Sequence, residues 1–312
     1  MNYIQNAYKG ANQWYHWVFT LMIIFIGWQI VGGFPLVGVA LSYSSDMTEF
    51  INASQDNFMT LGIDKNLFLF LMILSFIFGL ITLIIGVKYI HRRTLTSLVT
   101  SRKIIDWKRF WFAFFAWGII ASVVTILGIF ISPEEYIWNF KPIPFFTLLA
   151  VSFLFLPLQT SFEELLFRGY LMQGIGILVK NRWFPLIFTS VCFGLLHGAN
   201  PEVEKLGAIS MVFYIGTGLF YGISTLMDEG TELALGLHAI NNIIAAFFVT
   251  TDWMVFQTDA LFIDTSEPSV GFEMFFPVLV LYPLLLFVFS KKYGWSNWLE
   301  KLTGKIEAPL NT

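Results

Sequence analysis

The chain has 312 residues, of which 56% are hydrophobic, 18% aromatic and only 12% charged, with a formal net charge of −3. Soluble domains carry about 25% charged residues, so this composition cannot cover a water-facing surface and excludes an ordinary soluble enzyme or a disordered chain. The charge balance leaves no basic footprint for nucleic acid, and a single cysteine, Cys192, excludes an intramolecular disulfide and a Cys-rich metal cluster.

The apolar runs predict an all-α polytopic membrane protein of about eight transmembrane helices. In chain order these lie near Trp17–Leu41, Leu67–Ile90, Phe110–Ile131, Phe145–Ser161, Trp183–Gly198, Gly207–Met227, Leu233–Thr250 and Met274–Ser290. Crossing roughly 30 Å of hydrocarbon takes about 20 helical residues, and only a helix satisfies its own backbone in lipid. The period-2 alternation of a membrane barrel is missing. The first run is too long for a signal peptide and has only Lys9 before it, so it is expected to be retained.

The connections alternate in charge. Asp46, Glu49, Asp56 and Asp64 follow the first run. The segment Lys88–Arg109 then holds seven basic residues, Lys88, Arg92, Arg93, Arg102, Lys103, Lys108 and Arg109, suited to anionic headgroups. Lys180 and Arg182 mark a further basic turn, Asp252, Asp259, Asp264 and Glu267 a second acidic loop, and Lys291, Lys292, Lys301 and Lys305 a basic tail. The positive-inside rule places the basic segments and both termini in the cytoplasm. This divides the chain into a three-span N-terminal bundle with a basic loop (1–144), a core that carries the polar clusters (145–250), and an external loop, last span and basic tail (251–312).

Ionisable residues inside a span cost at least about 2.5–3.5 kcal/mol each, and three clusters carry them. In the first, Ser161-Phe-Glu163-Glu164-Leu-Leu-Phe-Arg168-Gly, Glu164 and Arg168 share a helix face and can pair. Glu163 has no sequence-local cation. A carboxylate beside a second one in a poorly solvated site is poised as a general base near neutral pH. A solvated Glu–Arg pair at a helix end is the plain alternative. In the second, Phe193-Gly-Leu-Leu-His197-Gly, His197 falls late in an apolar run with Phe193 one turn earlier on the same face; a hydrogen-bonded core histidine is the alternative. In the third, His238 and Asn242 are four apart on one helix face while Asn241 points elsewhere, and interhelical hydrogen bonding would explain them equally. Of the chain's 4 histidines, His16 and His91 sit at span edges. Two histidines and a glutamate form a recurrent catalytic zinc shell, here Glu163, His197 and His238. They also suffice for a metal-free acid–base site with Asn242 donating to an oxyanion. Counting places Glu163 and His238 toward the cytoplasmic side and His197 roughly 20 Å into its span; helix tilt, a break at Gly174 and Gly176, or a shift of the span boundaries would have to close that gap.

Glu-Glu-x-x-x-Arg at Glu163–Arg168, Phe-x-x-x-His at Phe193–His197 and His-x-x-x-Asn at His238–Asn242 occur in an order that resembles the CAAX protease and bacteriocin-processing (CPBP, or Abi) family of intramembrane endopeptidases. Its eukaryotic relatives are the type II CAAX prenyl endopeptidases. The matching stretch runs from about Phe145 to Thr250. The resemblance implies an eight-helix bundle with a conical cavity open to the cytosol, in a cell's inner (plasma) membrane. It implies that Glu163 activates the attacking water, His197 positions that water or a metal, and His238 with Asn242 stabilises the tetrahedral oxyanion. Glu164, Arg168 and Phe193 would support them. It leaves both a zinc-dependent and a metal-free mechanism open. The expected partners are the lipid bilayer and a membrane-associated protein or peptide substrate, with no nucleic acid. A non-catalytic scaffold or bacteriocin-immunity protein is the competing reading. A proton-coupled transporter is a further one, disfavoured by the lack of an internal repeat.

Overall fold

The structure, a computed structural model, describes residues 2–309. Eight apolar helices build it: α1 (Trp14–Tyr43), α2 (Lys65–Ile90), α3 (Trp107–Ile131), α4 (Pro142–Val179), α5 (Trp183–Ala199), α6 (Ala208–Asp228), α7 (Glu232–Phe247) and α8 (Met274–Tyr293). Six are long and apolar enough to cross a bilayer, which makes this a multi-pass membrane protein; α5 and α7 are shorter. At 1.5 Å per residue those two reach only about 24–26 Å. Helix α7 has no need to match the lipid, because it is enclosed by protein. Leu233, Ala234, Gly236, Leu237, Ala239, Ile240, Ile243, Ile244 and Ala246 are all buried, and α7 packs mainly against α3 and α4. Gly236 permits that approach, since a Cβ there would lie 2.2 Å from the Phe110 carbonyl oxygen.

Helix α4 corrects the sequence reading most. The expected fourth span ends at Ser161, yet the helix, 38 residues long in all, runs on to Val179. No break occurs at Gly174 or Gly176, which lie within a regular stretch, Met172–Val179. The irregularity is a π turn at Leu165–Leu171, directly after the two glutamates. Gly174 lets the helix lie against α1, because a Cβ there would meet the Trp17 ring at 2.5 Å. Continuing the helix removes the depth conflict. Glu163 lies about 24 Å from the Val179 end of α4, and His197 about 21 Å from the Trp183 end of α5. Both are measured from the turn that joins the two helices.

The expectation of a wholly helical chain fails in the loops at the acidic end. Strands β1 (Tyr136–Trp138), β2 (Val249–Thr250) and β3 (Phe262–Asp264) form a small sheet in the order β1-β3-β2. β1 pairs antiparallel with β3 in the register Tyr136↔Asp264, and β2 pairs parallel with β3. These segments are rich in aromatic and β-branched residues, which favour extended pairing. The predicted seventh span therefore stops at Phe247, short of Thr250.

The basic end is closed by protein. The short helix Leu95–Val99 and the 3-10 segment Ile4–Lys9 bury Leu98, Val99, Ile4 and Ala7. The Tyr3 hydroxyl lies 2.8 Å from the Leu98 carbonyl and 3.1 Å from that of Arg168. Asn6 donates to the Ser97 and Thr100 carbonyls at 3.1 and 2.9 Å. The turn between α6 and α7 collects the charges. Asp228 meets Arg102 at 2.8 Å and Arg109 at 2.5 Å, Glu232 meets Arg102 at 3.1 Å, and Glu229 meets Lys301 at 2.5 Å and Arg182 at 3.4 Å. So the basic loop serves two purposes. Lys88, Arg92, Lys103 and Lys108 are exposed, as headgroup contacts require, whereas Arg93, Arg102 and Arg109 turn inward.

Candidate active site

Two helical faces meet at the centre of the bundle. On α4, Gln159, Glu163, Glu164 and Arg168 follow each other at helical spacing, and all four are buried. On α7, His238 and Asn242 face them. Glu164 is fully buried; its Oε1 accepts from Arg168 at 3.0 Å and from His238 Nδ1 at 2.8 Å. Arg168, also fully buried, donates its other terminal nitrogen to the Gly218 carbonyl at 2.9 Å, and its guanidinium lies 4.4 Å from the centre of the Phe193 ring. The second nitrogen of His238, Nε2, stands 3.5 Å from Glu163 Oε2. The imidazole is thus held between the two carboxylates, and the Tyr221 ring stacks on it at 5.1 Å.

Glu163 is bound from one side only. Its Oε1 accepts from Gln159 Nε2 at 2.8 Å, and Gln159 in turn accepts from Asn242 Nδ2 at 3.1 Å. Its Oε2 is buried with no hydrogen-bond partner. Asn241, read from the sequence as pointing elsewhere, accepts from Trp117 Nε1 at 3.1 Å and donates to Asn242 Oδ1 at 3.2 Å. A relay of neutral amides therefore runs from α3 through α7 to the glutamate. The set carries two carboxylates against one guanidinium. Burying an uncompensated charge is costly.

His197 stands apart from this cluster. It ends the regular part of α5, and its Nδ1 donates to the Phe193 carbonyl at 2.8 Å. A carbonyl only accepts, so Nδ1 carries the hydrogen and Nε2 is a bare acceptor. The ring is stacked on Tyr214 at 4.5 Å and packed against Phe193 at 4.8 Å. Phe193 also lies 5.7 Å from His238, so its ring packs against both histidines. His197 and Glu163 meet through space: both line a cavity of about 200 Å³ together with Trp28, Gln29, Phe76 and Asn200. That cavity is drawn from the middle of α1, α2 and α4 and the end of α5, with no residue of the basic loop in its wall.

The zinc set fares differently. Both nitrogens of His238 are turned to carboxylates, and His197 contacts neither. Among the described residues no three His, Cys, Asp or Glu side chains converge closely enough to hold a metal ion. The donors as placed do not fit the expected shell. Sequence reasoning also passed over Gln159, Tyr214, Tyr221 and Glu202. Gln159 was detectable, one turn before Glu163 on the same face. The others approach through tertiary packing and leave no local signal.

Residues 142–244 match the family model described as Type II CAAX prenyl endopeptidase Rce1-like. The matched segment contains Glu163, Glu164, Arg168, Phe193, His197, His238 and Asn242. The chain is also 26% identical over 287 residues to the protein named "Uncharacterized protein YyaK" of Bacillus subtilis (strain 168), covering 90% of this chain and 93% of that one. No solved structure matches.

Proposed function

We propose that the protein is an intramembrane endopeptidase that hydrolyses a peptide bond of a membrane-associated protein or peptide, using a water activated by Glu163. The observation that carries this reading is the buried Glu163 carboxylate, whose Oε2 has no hydrogen-bond partner, on a residue that lines a cavity together with His197. A water seated there donates one hydrogen to Glu163 Oε2 and is oriented by His197 Nε2, which is bare because Nδ1 is fixed to a carbonyl. Glu163 takes the water's proton as the oxygen attacks the scissile carbonyl, then returns it to the leaving amine. His238, with Nδ1 anchored on Glu164, donates to the developing oxyanion from Nε2 when the ring is doubly protonated. Asn242 and Gln159 hold the glutamate's other oxygen and so fix which oxygen reacts. The chemistry needs no step through a metal, and none is assigned.

Glu163→Gln removes the base and keeps the shape. The expected result is a folded protein that cleaves nothing, with wild type beside it cleaving a verified membrane-bound substrate. Cleavage retained by Glu163→Gln overturns the assignment. Metal analysis of the purified protein completes the test. Activity that survives chelation supports the glutamate mechanism. Near-stoichiometric zinc, lost with activity in both His197→Ala and His238→Ala, replaces it with a metal-dependent one.

A further inference from the structure

Glu202 is buried, and among the described residues no cation pairs with it. Three neutral donors hold it instead. Asn200 Nδ2 donates to Oε1 at 3.0 Å, the Tyr214 hydroxyl donates to the same oxygen, and the backbone N–H of Val255 donates to Oε2 at 3.0 Å. Asn200 Nδ2 also lies 3.3 Å from the Tyr214 hydroxyl, so the three side chains close a ring of hydrogen bonds. A buried carboxylate without a counter-charge is costly to keep, and a neutral residue of the same shape would tie these segments together equally well.

What this group touches explains the charge. The Tyr214 ring is stacked on His197 at 4.5 Å, with the planes only 20° apart. Asn200 lines the cavity beside His197 and Glu163, and its backbone N–H donates to the His197 carbonyl at 3.0 Å. His197 lies where α5 gives way to a single 3-10 turn, so its backbone alone does not fix the ring. Charge-assisted hydrogen bonds are shorter and stronger than neutral ones. The one between Glu202 and Tyr214 locks the phenol ring, and the locked ring forms one wall of the slot that holds the imidazole.

We propose that Glu202 and Tyr214 are positioning residues for His197. They fix the plane and tautomer of the imidazole so that Nε2 faces the cavity. Through Val255 they also tie the 251–258 loop to that geometry. This inference rests on the peptidase reading, in which His197 orients the attacking water.

The test uses full-length protein labelled with 15N-histidine in phosphatidylethanolamine–phosphatidylglycerol bilayers. The chain's 4 histidines give few signals, and His197→Gln identifies the one sought. Wild type is expected to show His197 as a single Nδ1-protonated species. Tyr214→Phe keeps the ring but loses its anchor, and mixed tautomers are expected. With an internally quenched, acylated peptide as probe, kcat is expected to fall about tenfold with KM little changed. Glu202→Gln, which keeps the shape but loses the charge, is expected to lose part of both readouts, and Glu202→Ala most of both. A His197 signal unchanged in both Tyr214→Phe and Tyr214→Leu overturns the proposal, even if the variants melt earlier. If the signals change as expected while wild type cleaves no probe, the positioning role stands and the peptidase reading fails.

Discussion

Arg168 has no exposed surface, and it joins three parts of the site: Glu164 on its own helix, the Gly218 carbonyl on α6 and the Phe193 ring on α5. Removing one partner of a buried ion pair costs about 3–5 kcal/mol, because the other charge is left unpaired. Arg168→Met is therefore expected to lower the thermal unfolding midpoint sharply and to release His238 from its anchor. Arg168→Lys is expected to restore little, since an ammonium cannot bridge a carboxylate and a carbonyl in the same planar fork. His91 supplies a separate expectation. Burial pushes its imidazole down to about 4, against a hydrogen bond to the Ala11 carbonyl that works the other way. Its Nδ1 donates to that carbonyl at 2.7 Å and its Nε2 lies 2.8 Å from the Tyr170 hydroxyl, an arrangement that the neutral ring satisfies when Nε2 accepts from the hydroxyl. The unfolded imidazole titrates near 6.5, so the stability His91 contributes is complete above that pH and is lost as pH falls from about 6.5 toward 4. Proteolytic release of the N-terminal segment is expected to accelerate across that window in wild type, and a flat profile would remove His91 as its cause. Much of this was legible in the sequence. The spacing of Glu164 and Arg168 announced a pair, and that of His238 and Asn242 a shared face. Tyr214 was not legible as a partner of His197, because seventeen positions and a turn separate them, and Glu202 reads in sequence as one charge of a solvated linker.

At the level of elements, the misreading of α4 has a definite cause. Two adjacent glutamates after an apolar run look like the water-facing end of a helix. Here α7 covers them instead, and the helix runs on because tertiary partners replace solvent. The π turn that follows has a testable role. It inserts one residue into the helix between the glutamates and the Met172–Val179 stretch. Deleting Leu171 is expected to restore regular geometry and rotate everything beyond it by about 100°. Gln173 would then leave the Ser97 carbonyl, which it reaches at 3.0 Å, and its contact with Arg93, while Glu163 and Glu164 keep their face toward α7. The expected signature is faster proteolysis of the N-terminal segment with the cluster of Glu163, Glu164 and His238 still formed; undisturbed docking of that segment would deny the turn this role. The small sheet escaped the sequence reading for a related reason. Strands of two or three residues leave no periodicity to detect, and the pairing of Tyr136 with Asp264 joins segments far apart in the chain.

Across the whole molecule, the eight apolar helices fall where the sequence placed its runs, but the sequence could not distinguish a helix that spans lipid from one wrapped by its neighbours. Composition measures how apolar a segment is, not what surrounds it, so nothing in the sequence marked α7 as the enclosed one. The closure of the basic end was hidden for the converse reason: a run of arginines and lysines advertises lipid headgroups, and only the fold shows that Arg102 and Arg109 reach back to Asp228. Two sources supply the cavity wall. Glu163, Phe193, His197 and Asn200 come from the segment that matches the Rce1-like family model, whereas Trp28, Gln29 and Phe76 come from α1 and α2, outside it. On the peptidase reading, the half that carries the chemistry and the half that meets the incoming chain lie in separate stretches of sequence and can change independently. A chimera that takes α1 and α2 from a homologue is expected to turn over a shared probe at an unchanged rate yet rank other probes in a new order.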